Sequence, residues 1–335
     1  MKVLRLYGER DLQLSDEPRP EIRAGEVLLK VEAVGICGSD LHWFEDSGIG
    51  DDRLTRPLVL GHEFAGLVVE GPHAGRRVAV DPAIHCGKCS FCESGNPNFC
   101  ADLRFAGHGE NDGALRGFMA WPARMVHPLP EGFSAADGVM LEPLGVALHA
   151  LDLAHLRPGV SVAVLGCGPI GLLLIQLARL SGATEILATD PLLHRRQKAL
   201  EMGADTCIDS RDDLQFRDLV GRLRLGGVDV AFEVAGQNDA VEAALEAIRP
   251  GGKVILVGIP GEDTTSFSAS LARRKGVSVK LVRRMKHTYP RAIELVKKGC
   301  IDVRSLVTHQ FPIAQYEEAF TIAAERRGLK VLVEP

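Results

Sequence analysis

The stretch SVAVLGCGPIGLLLIQLARL, residues 161–180, decides how the rest of this chain is read. A short apolar run with β-branched residues ends at Gly166, a glycine triplet follows at Gly166, Gly168 and Gly171, and an apolar helical pattern begins at once. In that context Gly166 permits a tight turn and Gly171 lets helix and strand pack closely. Gly168 lets backbone approach a pyrophosphate, which the free N–H groups of the helix N-terminus attract. Asp190 closes the next apolar run nineteen residues after Gly171, where a carboxylate accepts hydrogen bonds from ribose hydroxyls and repels a 2′-phosphate. These features predict an NAD site, with Arg195 and Arg196 nearby as the feature that favours NADP.

The same stretch belongs to 21 uncharged residues, Pro158 to Ala178, which match a membrane span in length. Four glycines and two prolines interrupt it, so a strand, a turn and a buried helix are expected instead. Beyond this stretch, EILATD, TCIDS, VDVAFEVAG, KVILVGI and VSVKLV alternate with helical patterns such as HRRQKALEMGA and NDAVEAALEAIRPGG. About six strands by residue 282 fill one doubly wound parallel sheet. Before residue 155 the pattern is instead short alternating runs broken by Gly and Pro, such as EVLLKVEAVG and RRVAVDPA, which predicts a β-rich domain. The tail EEAFTIAAERRGLKVLVEP is expected to return to that domain as a helix and an edge strand. The predicted fold is therefore α/β: a β-rich domain over 1–148, completed by about 291–335, and a doubly wound domain over 149–290.

At 335 residues, with 46% hydrophobic and 25% charged, the chain can build two cores and is not disordered. Its formal charge of −5 gives no basic field for nucleic acid. The charged N-terminus MKVLRLYGERDLQL cannot serve as a secretory signal, so a cytoplasmic protein is expected, without membrane or nucleic-acid partners. Eight cysteines in such a protein are not expected to form disulfides.

Four of them, Cys86, Cys89, Cys92 and Cys100, fall in one loop marked by Lys88, Ser90, Glu93, Gly95 and Pro97. Four thiolates complete a closed tetrahedral shell, which suits structural zinc. A zinc ribbon for nucleic acid would need more basic residues than the nearby Lys88 and Arg104. A second set is dispersed: Cys37 in VGICGSDLH, His62 and Glu63 in VLGHEFAG, and Glu142 in MLEPLGVALHA. A thiolate, an imidazole and a carboxylate with a position left open is what catalytic zinc requires. Taken singly, a Cys, a His or a Glu has an ordinary packing or surface explanation.

The order GICGSDLH, GHEFAG, the four-cysteine loop, an E-P-L segment and G-x-G-P-x-G resembles the zinc-dependent medium-chain dehydrogenase family over essentially the whole chain. Glu63, Glu142, Asp190 and Arg195 are similar to its sorbitol or polyol dehydrogenase branch. The resemblance implies a GroES-like catalytic domain, an NAD-binding Rossmann domain, a substrate cleft between them, and a homo-oligomer, tetramer or dimer. It implies two zinc ions per subunit. Cys37, His62 and Glu63 would hold the catalytic one, and Glu142 would reach it through water or directly; Asp40 would orient His62. Gly166, Gly168, Pro169, Ile170, Gly171, Asp190 and Arg195 would bind NAD. Ser39 and His42 match proton-relay positions and Arg284 a residue beside the substrate hydroxyls. Trp43 and Met285 stand where the branch has tyrosine. The expected reaction is hydride transfer from a secondary alcohol of a polyol (sorbitol, xylitol or iditol-like) to NAD, with threonine, glucose or other alcohols as alternative substrates. A non-enzymatic zinc-ribbon and Rossmann scaffold is the distant alternative.

Overall fold

The computed structural model describes residues 1–335, apart from the side chain of Arg224. The chain forms two compact units, Met1–Pro143 with Lys286–Pro335, and Leu144–Met285. The first division falls inside the helix Leu141–Ala154. Patterning of the sequence puts the limits at 148 and 290; at the first, an uninterrupted helix carries no local mark of where its contacts change.

The first unit is built on a seven-stranded sheet whose middle is the strand Glu26–Gly35. Glu63–Glu70 pairs with it antiparallel on one side. On the other side Phe118–Pro122 covers its first half, and Lys330–Glu334 meets its last residues through Val34 and Gly35. Its apolar side chains, Val27, Leu29 and Val31, enter a core shared with Phe64, Val68 and Phe320. Each fully buried Val, Leu or Phe there contributes about 1.5–3 kcal/mol. The helix Tyr316–Ala324 and the strand Lys330–Glu334 do follow one another in this unit, but the strand is not at an edge. Val307–Pro312 pairs with it in parallel and takes the edge. The short interior strand is buried on both faces from Lys330 to Val333, whereas the edge strand alternates half-buried and exposed residues.

The second unit holds six strands, all parallel, in the order Thr206–Ile208, Glu185–Thr189, Ser161–Leu165, Val228–Glu233, Ile248–Leu256, Ser278–Leu281. The inner strands Glu185–Thr189, Ser161–Leu165 and Val228–Glu233 are largely buried, as in sheets covered on both faces. The order reverses between Ser161–Leu165 and Val228–Glu233, which is the switch point where doubly wound sheets take ligands. The uncharged stretch 158–178 is this central strand and the start of the twelve-residue helix Pro169–Leu180. Among the described residues no helix is long and apolar enough to cross a membrane.

Candidate functional site

The four-cysteine loop folds its thiols toward one point: one sulfur each from Cys86, Cys89, Cys92 and Cys100 lie within 4.8 Å of one another. Cys89 and Cys92 Sγ are 3.5 Å apart, Cys86 and Cys92 Sγ 3.9 Å. Tetrahedral zinc with bonds of about 2.3 Å needs sulfurs about 3.8 Å apart, so the donors fit that ion. Backbone N–H groups led by that of Lys88 lower the Cys86 thiol to about 7, and burial raises Cys92 to about 12. The loop is tethered by Lys286 Nζ, which donates to Asn96 Oδ1 at 2.6 Å. All eight cysteines are free thiols.

The dispersed set also meets. The strand Glu26–Gly35 delivers the chain to Cys37, which starts the helix Gly38–Asp46, and the neighbouring strand begins at Glu63 just after His62. One donor atom each of Cys37, His62 and Glu63 lie within 4.8 Å of one another. Asp40, buried on the first turn of the helix, lies 3.4 Å from His62 Nδ1 and accepts the N–H groups of Cys37 and Gly61 at 2.9 and 3.1 Å. This leaves Nε2 as the ring nitrogen to face a metal. Burial opposes both charges, yet the mutual attraction prevails. Asp40 is held below its ordinary value by His62 and the two amides, and His62 is raised well above its own by Asp40 and Cys37. A thiol, an imidazole and a carboxylate, with the histidine tautomer already fixed, suit zinc.

Nothing in the sequence motifs pointed to the partner of Glu63. Lys330 Nζ, from the interior strand of the same sheet, donates to Glu63 Oε1 and Oε2 at 2.8 and 2.5 Å and to the carbonyl of Ile36 at 3.2 Å. Lys330 is 3% exposed and Glu63 1%. Burial works against the ammonium, but Glu63, Cys37 and Glu142 keep it raised and charged. Room for the pair comes from Gly35, where a Cβ would stand 2.2 Å from Glu63 Oε2.

Glu142 lies in the first turn of its helix, buried, and is not part of the 4.8 Å cluster. Burial lifts its carboxyl to about 8; His62 and Lys330 oppose the shift, and Glu63 and Asp81 add to it. Asp81, raised to about 6 by burial, and Tyr289, whose hydroxyl donates to the Val80 carbonyl at 2.6 Å, also interact with this buried acid and were missed by motif reading. Ser39 and His42 ride on the helix that starts after Cys37; His42 Nδ1 is 3.6 Å from the exposed carboxylate of Asp46. Trp43, 1% exposed, is a core residue whose indole N–H donates to His108 Nδ1 at 3.2 Å, and His108 Nε2 is 3.0 Å from Asp52. Arg284, in the second unit, has a left-handed backbone with φ 53°.

In the second unit Gly168 caps the helix Pro169–Leu180, with Pro169 at its first position, where no N–H is needed, followed by Ile170. A Cβ on Gly171 would stand 2.0 Å from the Gly166 carbonyl oxygen, so that glycine is dictated by packing. Gly168 differs: its φ of −68° suits any residue, and a Cβ there would meet only Arg195 Nη1, at 3.8 Å. The space above it is therefore open to a phosphate, as NAD requires. Asp190 is buried at the end of its strand and accepts the N–H of Cys167 and of Leu192, both at 2.9 Å, with Arg195 Nη1 4.0 Å away. Glu233 Oε1 accepts the N–H groups of Ala235 and Gly236, bracing the loop beside Gly166.

Comparison with known proteins agrees with this geometry. Residues 23–131 match the alcohol dehydrogenase GroES-like domain and residues 169–298 the zinc-binding dehydrogenase domain. The chain is 34% identical to sorbitol dehydrogenase of Bacillus subtilis (strain 168), covering 100% of this chain and 97% of that protein. It is 35% identical to L-idonate 5-dehydrogenase of Vitis vinifera, covering 98% and 93%. Among solved structures, a zinc-binding dehydrogenase of Sinorhizobium meliloti 1021 bound to NADP superposes with a TM-score of 0.90 at 31% identity, covering 100% and 99%. With two metal-suited donor sets and the glycine turn on one chain, this protein belongs to the zinc-dependent medium-chain dehydrogenase family, on its sorbitol dehydrogenase-like branch.

Proposed function

We propose that this protein oxidises a secondary hydroxyl of a polyol to a ketone, passing hydride to NAD. The observation that carries the reading is the buried meeting of Cys37, His62 and Glu63, with Lys330 behind Glu63 and Glu142 nearby. When bound, zinc lowers the pKa of an alcohol hydroxyl and NAD accepts the hydride. Cys37, His62 and Glu63 hold the ion, and Glu142 acts from farther out, through water. Asp40 keeps the His62 Nδ1 proton in place, so the ring cannot turn away. Lys330 offsets the charge of its direct partner Glu63, to which it donates through both carboxylate oxygens. The hydroxyl proton leaves through Ser39 and His42 toward Asp46 at the surface. In the second unit the amides around Gly168 take the pyrophosphate and Asp190 the adenosine ribose, favouring NAD over NADP.

Arg284 is assigned to the substrate hydroxyls. The four-cysteine loop holds a second, structural zinc. A cytoplasmic location is supported by eight free thiols, which suit a reducing compartment. A homodimer or homotetramer is supported by the strand Ser278–Leu281, which leaves one edge of the parallel sheet unpaired, with Leu281 exposed. The decisive experiment is a panel of sorbitol, xylitol, iditol, L-idonate, threonine, glucose and simple secondary alcohols with NAD and NADP on zinc-quantified protein. Preferred turnover of a polyol with NAD is expected; preference for threonine or glucose would overturn the substrate assignment, and no turnover of any would overturn the reaction.

A further inference from the structure

Two thiols that the reaction does not use face each other beside the nucleotide turn. Cys167 lies inside the turn, between Gly166 and Gly168, wholly buried, and its Sγ is 3.8 Å from Cys207 Sγ. Cys207 belongs to the strand Thr206–Ile208, pairs with Ala188 across the sheet, and is only partly buried. The Cys167 thiol also reaches the carbonyl of Thr189 at 3.5 Å, so the two cysteines flank Thr189 and Asp190.

We propose that Cys167 and Cys207 are a peroxide-oxidisable pair whose disulfide distorts the glycine turn and blocks nucleotide binding, and that bound nucleotide protects them. The chemistry starts at Cys207, the less buried of the two. Cys207 thiol reduces a hydroperoxide ROOH, becoming the sulfenic acid with release of ROH. The Cys167 sulfur then attacks the Cys207 sulfur, forming the S–S bond, while the Cys167 proton and the displaced hydroxide leave as water. The neighbouring Cys207 and burial push the Cys167 thiol far up, so it is not the first to react.

A disulfide needs sulfurs about 2.05 Å apart, so the pair must close by roughly 1.7 Å. The turn has little slack to give. The Cys167 N–H is held by Asp190 Oδ2 at 2.9 Å, and the Gly166 carbonyl is packed against Gly171. A pull on Cys167 toward the strand Thr206–Ile208 is therefore transmitted to the amides around Gly168 and to the Asp190 carboxylate. These groups are the assigned pyrophosphate and ribose contacts, and the inference rests on that assignment.

The test uses reduced, zinc-loaded protein treated with hydrogen peroxide, with and without saturating NADH. Linked peptides are mapped by mass spectrometry, NADH binding is followed by fluorescence, and zinc content is checked throughout. The expected results are a Cys167–Cys207 peptide that forms at least tenfold more slowly with NADH, and a dissociation constant for NADH at least tenfold weaker after oxidation. Dithiothreitol restores binding, and Cys207→Ser, with Cys207→Ala as a second variant, keeps its affinity through peroxide treatment. The proposal is overturned if the exposed Cys300 oxidises while no Cys167–Cys207 link forms, if the linked protein binds NADH as before, or if the Cys207 variants lose affinity like the wild type. Failure of the reduced wild type to bind NADH would instead remove the nucleotide assignment, and with it the gating effect, whatever the peptide map shows.

Discussion

Lys330 Nζ and the carboxylate of Glu63, 267 residues apart in sequence, form a buried ion pair at 2.5 and 2.8 Å against the candidate metal ligands. Removing one partner of such a pair leaves an uncompensated buried charge and costs about 3–5 kcal/mol. A divalent ion on Glu63 supplies the missing compensation. Lys330→Met is therefore expected to lose stability mainly in the metal-free protein, and much less with zinc bound. Denaturant titrations of both forms measure this; an equal loss in the two would show that Lys330 acts only by packing.

Cys37→Ala or His62→Ala is expected to fold as the wild type, to drop from two zinc ions per chain to one, and to lose turnover on the order of a thousandfold or more. Metal analysis alongside steady-state rates checks this. Full activity in either purified variant would defeat the ligand assignment.

Cys89→Ser breaks the other donor set. The loop holding the four thiols has only short helical turns of its own, Ser90–Glu93 and Pro97–Phe99, so its ion carries much of its folding energy. A loss of several kcal/mol in stability is expected, again with one zinc ion retained. Unchanged melting and zinc content would contradict the closed-site assignment.

The glycines of the nucleotide turn should separate by substitution. Gly168→Ala meets no clash and should keep stability within about 1 kcal/mol, while weakening NAD binding at least tenfold by filling the phosphate approach. Gly171→Ala places a methyl against the Gly166 carbonyl and should unfold more easily. Calorimetry with an NADH titration distinguishes the two, and normal NAD affinity in Gly168→Ala would count against the assignment.

His127 stacks on Tyr289 with ring centroids 4.5 Å apart, and burial lowers its pKa from 6.5 to about 4. Between those values the unfolded chain binds the proton that the folded one refuses, so stability falls as pH drops from 6.5 toward 4, by about 3 kcal/mol for this group. Asp81 has the opposite sign: its raised pKa of about 6 lets acid relieve a buried charge. The two overlap in the wild type. Comparing it with His127→Phe isolates the histidine, and the variant should lose less stability on acidification. Parallel curves would show that His127 stays accessible to protons.

Features confined to short spans of chain were legible from the residues alone. The glycine triplet with its strand, helix and Asp190, the four-cysteine spacing and the strand-helix rhythm are local, because turn geometry, helix period and tetrahedral donor spacing act over short segments. Cys37 and His62 were legible only as members of motifs, and their meeting depended on two neighbouring strands delivering them to one place. The folded chain alone shows that Glu63 joins them more closely than Glu142, that Lys330 holds it, and that Cys167 faces Cys207. In LKVLVE, Lys330 reads as an ordinary charged residue of a strand, and the strand itself as an edge. Val307–Pro312 covers its edge by parallel pairing, while Val331 and Val333 enter one core with Phe320 and Leu332 another with Val139, so both faces are buried and the lysine becomes a buried counter-charge. Such pairings reflect burial by distant segments, and local period or spacing does not encode which segment supplies the cover.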